Sequence, residues 1–103
     1  MVSNIQYEQD DLTRCCQKHR IVRLSFFGSV LRDDFDPRSS DVDVLVEFEA
    51  EAEASMTYFR LGGIVAELQD LLGRSVDLSL ANSLDRGMRD DILSSAEVQY
   101  VAK

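Results

Sequence analysis

An α+β domain, a small mixed sheet backed by helices, is predicted by three observations on this chain. Short runs enriched in β-branched and aromatic residues alternate polar and apolar positions, as strands with one buried face do. One long stretch, Met56 to Leu72, carries apolar residues at i, i+3, i+4 and i+7 and is followed by a glycine. With 103 residues, 11.6 kDa and 45% hydrophobic content, the chain fills one core, so residues 1–103 are read as a single domain.

The first element is a helix over Gln9 to Arg20, with Leu12, Cys15, Cys16 and His19 at helical spacing. His19, the single histidine, is read as the end of that helix rather than as a catalytic group. Ile21 to Phe27 is strand-like and runs into Gly28-Ser29. Asp41 to Phe48 alternates over eight residues and reads as a second strand. The acidic stretch Glu47 to Glu53 leaves it as a solvated loop or a helix entry. The long helix follows, its stripe being Leu61, Ile64, Val65, Leu68, Leu71 and Leu72, with Gly73 as C-cap. Gly62-Gly63 in its middle lowers helix propensity and is read as a point of close packing or a break. Ser75 to Leu80 alternates again, a helix is expected over Leu84 to Ala96, and Val98 to Val101 closes the chain as a strand.

The chemistry concentrates between residues 28 and 43. In the strand beginning at Asp41, Val42, Val44, Val46 and Phe48 face one way while Asp41 and Asp43 face the other. Their carbons sit roughly 6.6 Å apart at about 3.3 Å of rise per residue. Two carboxylates at that separation repel by about 2–3 kcal/mol at an effective dielectric of about 20. Folding alone gives no reason to accept this, and aspartate is depleted in strands. A hard divalent cation does, because Mg²⁺ takes oxygen ligands from one or two carboxylates together with substrate phosphates. At the other end of the segment, a strand passing through Gly28 brings backbone N–H groups up to an anion. Ser29 can donate its hydroxyl to a phosphate oxygen, and Arg32 can neutralise charge nearby. In Ser75 to Leu80, Asp77 falls on the face opposite Val76, Leu78 and Leu80. Paired beside the Asp41 strand, it would project with Asp41 and Asp43.

Gly28-Ser29-x-x-Arg32, followed by Ser40-Asp41-x-Asp43, resembles the signature of the nucleotidyltransferase superfamily with the polymerase-beta-like core. The small size resembles the minimal nucleotidyltransferases, antitoxin partners of HEPN-domain toxins, over about Leu12 to Tyr100. The third carboxylate of that family stands in a Val-Asp-Leu context, here Val76-Asp77-Leu78. Asp33 stands where the residue after the arginine is commonly glycine. The resemblance implies a nucleotidyltransferase fold and transfer of AMP from ATP. It implies that Asp41, Asp43 and Asp77 hold two Mg²⁺ ions, and that Gly28, Ser29, Arg32 and Ser40 seat the nucleotide. Two such ions, roughly 3.5–4 Å apart, clamp the attacking and leaving oxygens. The implied acceptor is a tyrosine hydroxyl of a cognate HEPN-type RNase toxin. A non-catalytic antitoxin that neutralises the toxin by complex formation is the alternative.

A net charge of −8, from 11 basic and 19 acidic residues, argues against broad electrostatic binding of nucleic acid. No stretch approaches a membrane span, and the N-terminus lacks the basic start and apolar run of a signal peptide. Cys15 and Cys16 are adjacent with no other cysteine to pair with. By spacing they form neither a disulfide framework nor a zinc site, and a reducing cytoplasm is expected.

Overall fold

The structure, a computed structural model, describes residues 7–28, 41–81 and 86–102. Along them run α1 (Gln9–Lys18), β1 (Ile21–Phe27), β2 (Val42–Phe48), α2 (Ala50–Ala54), α3 (Tyr58–Leu72), β3 (Val76–Leu80), α4 (Arg86–Ser95) and β4 (Glu97–Val101). The described strands form one sheet in the order β3-β2-β1-β4. β1 pairs antiparallel with both β2 and β4, whereas β2 and β3 are parallel, so the sheet is mixed. The parallel pair follows from the connection: residues 49–75 carry α2 and α3 as a crossover, which a tight hairpin cannot supply.

Alternation decides which side chains of each strand face the helices, although Leu45 of β2 and Ser25 of β1 are buried on the opposite face as well. Val42, Val44 and Val46 of β2 lose all solvent contact, as do Leu24 and Phe26 of β1. They share one core cluster with Leu12 and Cys16 of α1 and with Ile64, Leu68 and Leu72 of α3. Each such side chain contributes about 1.5–3 kcal/mol through the apolar surface it removes from water. Truncating one, as in Leu68→Ala, costs about 2–5 kcal/mol once the cavity left behind is included. Tyr7 meets Phe26 edge to face at 5.9 Å between ring centroids, a favoured aromatic geometry. Its hydroxyl donates to Gln99 Oε1 at 2.5 Å, tying the start of the described chain to β4.

α3 begins where the Thr57 side chain accepts a hydrogen bond from the backbone N–H of Arg60 at 3.2 Å, an N-cap. It ends at Gly73, whose φ of +68° is the left-handed C-cap expected of that glycine. The Gly62-Gly63 pair departs from expectation. The helix runs through it unbroken, both glycines are exposed, and a Cβ on either would meet nothing within 4 Å. Neither close packing nor a break accounts for the pair. Burial of the Ile64, Leu68 and Leu72 stripe offsets its propensity cost of about 1 kcal/mol per glycine. The acidic stretch after β2 is the short helix α2, with Ala52 buried. Among the described residues no helix is long and apolar enough to cross a membrane.

α1 and α3 are joined at one carboxylate. Glu67 Oε1 accepts from Lys18 Nζ at 2.7 Å, Oε2 lies 3.3 Å from His19 Nε2, and the Cys15 thiol donates to the same carboxylate. His19 is the C-cap of α1, the place its sequence position predicts. The Lys18 hydrogen bond, seconded by that of Cys15, draws the Glu67 carboxyl down to about 2. A carboxyl that titrates lower in the folded than in the unfolded chain contributes stability above its ordinary value and loses it as pH falls toward the folded value. Glu67→Gln therefore lowers the melting temperature at neutral pH. Its deficit relative to wild type closes as pH drops from about 4.5 to about 2. Thermal melts across that window check this, and a deficit independent of pH would assign the loss to packing.

Candidate nucleotide and metal site

The strand register builds the site. β2 and β3 pair in parallel with Val42 opposite Val76, Val44 opposite Leu78 and Val46 opposite Leu80, all on the face toward the helices. The same register sets Asp43 opposite Asp77 on the other face. Directly opposed residues carry side chains about 5 Å apart at Cβ, within reach of one another. On the other flank of β2, Asp43 faces Phe27, the last residue of β1. Asp41 immediately precedes β2 and is exposed, Asp43 is half-buried, and Asp77 is exposed. The backbone therefore sets two of the predicted carboxylates side by side, with the third two residues away along the chain. Their oxygens are not drawn into one tight knot, since the one described group of three or more ligand atoms within 4.8 Å of one another is elsewhere.

Gly28 matters more than the sequence indicates. Its φ is +75°, a left-handed conformation that side chains with a Cβ adopt only at a cost. A Cβ built at this position would collide with Asp43 Oδ2 and lie 3.2 Å from Asp43 Cγ. The sequence reads this glycine as room for a phosphate; the described geometry shows that it also makes room for the Asp43 carboxylate. Nothing in the one-dimensional spacing of residues 28 and 43 could reveal this contact, which depends on β1 and β2 pairing with Phe27 opposite Asp43. Ser29, Arg32 and Ser40 lie outside the described residues, as does Asp33.

A pocket of about 600 Å³ elsewhere on the molecule is lined by Gln9, Gln17, Arg20, Glu49 and Tyr100 among others, and of the described candidates Gly28, Asp41, Asp43 and Asp77 none lines it. The candidate chemistry rests on the carboxylates and the glycine, whose placement the strand register sets. Their donor set is all oxygen, which suits a hard cation such as Mg²⁺ and offers no soft ligand.

A family model described as a nucleotidyltransferase domain matches residues 12–99. The chain belongs to the nucleotidyltransferase domain family. It is an enzyme of the minimal nucleotidyltransferase kind. It is 38% identical over 79 residues to a protein of Methanocaldococcus jannaschii whose name proposes protein adenylyltransferase activity; the match covers 77% of this chain and 80% of that one. A solved structure described as a candidate minimal nucleotidyltransferase superposes with a TM-score of 0.70 at 31% identity, covering 85% of each chain. A structure of the tri-AMPylated HEPN toxin of Shewanella oneidensis in complex with its MNT antitoxin shares the fold, with a TM-score of 0.63 at 14% identity over 91% of this chain and 70% of that one.

The contact between Gly28 and Asp43 generates a prediction about their coupling. Gly28→Ala should cost about 1–2 kcal/mol for the left-handed backbone alone, with a further cost for displacing the Asp43 carboxylate. In an Asp43→Ala background that second cost is absent, because Asp43 Cβ lies at an ordinary 3.5 Å. Urea denaturation of the two single variants and the double variant measures the difference. A Gly28→Ala penalty of equal size in both backgrounds would show that the collision is absorbed by side-chain rotation.

Proposed function

We propose that this enzyme transfers AMP from ATP, with Mg²⁺, to a tyrosine hydroxyl of a cognate HEPN-type RNase toxin and so acts as its antitoxin in the cytoplasm. The observation that carries this reading is the pairing of Asp43 with Asp77 across parallel strands, with Gly28 against Asp43. Two further facts support it: the adenylyltransferase name of the 38% identical relative, and the fold shared with an antitoxin found with an AMPylated toxin.

Asp41, Asp43 and Asp77 are the metal ligands, and their oxygen-only donor set fits the ion. Mg²⁺, when bound, neutralises charge on the triphosphate. Gly28 and Ser29 hold the phosphates with backbone N–H groups and a hydroxyl, assisted by Arg32 and Ser40. The acceptor oxygen attacks the α-phosphorus in line, the bond to the bridging oxygen breaks, and pyrophosphate leaves. Asp77 takes the acceptor proton. Positioning and charge stabilisation supply the rate, as in related phosphoryl transfers. An added phosphate at the toxin's RNase site excludes RNA by charge and volume.

Two measurements test this. ATP with Mg²⁺ at about 100-fold over its dissociation constant should stabilise the wild type by about 2.7 kcal/mol, and Asp43→Asn should abolish the metal-dependent part of the shift. An identical shift in both proteins would remove Asp43 from the site. Intact mass spectrometry of the toxin after incubation with ATP, Mg²⁺ and this enzyme should show added AMP with wild type and none with Asp41→Ala/Asp43→Ala. Neutralisation by the double variant with no mass change would establish the non-catalytic antitoxin instead.

A further inference from the structure

A second cluster of ligating groups lies between α1 and α3, away from the aspartates. The Cys15 sulfur, a His19 ring nitrogen and a Glu67 carboxylate oxygen all lie within 4.8 Å of one another. Cys15 and His19 are four residues apart at the end of α1, a spacing that puts them on one helix face. Glu67 arrives from α3, and spacing along the chain could not join it to them. Cys16 takes no part, being fully buried in the core.

We propose that Cys15, His19 and Glu67 form a binding site for a thiophilic divalent cation of the Zn²⁺ class, which pins α1 to α3. The donor types are those of zinc: thiolate, imidazole and carboxylate, quite unlike the all-oxygen aspartate site. The distances agree as well. Zinc bonds of about 2.1 Å at the tetrahedral angle hold nitrogen and oxygen ligands about 3.4 Å apart. His19 Nε2 stands 3.3 Å from Glu67 Oε2. Lys18 binds the other oxygen, Oε1, at 2.7 Å, so it can orient the carboxylate without occupying the coordinating atom. Cys15, Lys18 and Glu67 also line a surface pocket of about 410 Å³. That pocket gives a cation a way in and leaves a fourth position for water.

Without a cation, burial and the hydrogen bond to Glu67 push the Cys15 thiol up to about 12, so it is an inert hydrogen-bond donor. Binding replaces the thiol proton, which passes to solvent, by the metal–sulfur bond. Thiolate and carboxylate then balance the two positive charges.

The test uses the full chain without an affinity tag, stripped of metal and titrated with Co²⁺ as a spectroscopic probe and Zn²⁺ by calorimetry. Wild type and Asp43→Asn should both show thiolate-to-cobalt charge transfer at one equivalent, displaced by Zn²⁺. Cys15→Ser should lose that band, while His19→Gln and Glu67→Gln should weaken Zn²⁺ binding at least tenfold. Should Cys15→Ser fail to fold, the two milder variants carry the comparison. Absence of the band in wild type, its survival in Cys15→Ser, or unchanged affinity in both His19→Gln and Glu67→Gln would overturn the site and leave Glu67 as a hydrogen-bonding hub only.

Discussion

The register of β2 against β3 is the constraint on which the rest depends. Three apolar pairs, Val42 with Val76, Val44 with Leu78 and Val46 with Leu80, meet on the helix side of the sheet. Side chains alternate, so the same register must put Asp43 opposite Asp77 on the other side. A slip of β3 by one residue would drive Asp77 into the core and expose Val76, Leu78 and Leu80. Burying unpaired charge is prohibitive, and the core thereby enforces the geometry of the site. Hydrophobic burial and the placement of the candidate carboxylates are here one requirement, met by one set of strands.

The crossover through α2 and α3 follows from the same constraint. A parallel neighbour for β2 requires a long connection, and α3 both provides it and covers the valine face. Its buried stripe keeps the helix intact across two exposed glycines. On the opposite flank, β1 ends at Phe27 opposite Asp43, which leaves Gly28 against the carboxylate. The glycine thus accommodates Asp43 twice over, through a backbone conformation and through the space it leaves.

Much of this was legible in the sequence because period-two alternation is a direct record of which face is buried. β1, β2 and β3, the stripe of α3 and the cap at Gly73 follow from it, as does the prediction that Asp77 joins the face of Asp43. The contact of Gly28 with Asp43 was not legible, since it depends on how β1 and β2 pair. The misreading of Gly62-Gly63 has a different origin: glycine inside a helix signals either close approach or indifference, and only the surroundings tell which. The Cys15, His19 and Glu67 cluster was hidden because its third member lies 48 residues beyond the second. Two adjacent cysteines suggested nothing by their spacing, for only one of them faces the gap between the helices.

Strand register sets Asp43 beside Asp77, with Gly28 against Asp43, where the proposed hard-cation site lies. Paramagnetic broadening by substoichiometric Mn²⁺, added with a non-hydrolysable ATP analogue to isotopically labelled protein, tests it most directly. A hard-cation site there gives selective loss of the backbone amide signals of Gly28, Asp43 and Asp77, with those of Leu68 and Leu72 in α3 retained. Broadening centred on α1 and α3, or spread evenly over the acidic surface, would contradict it.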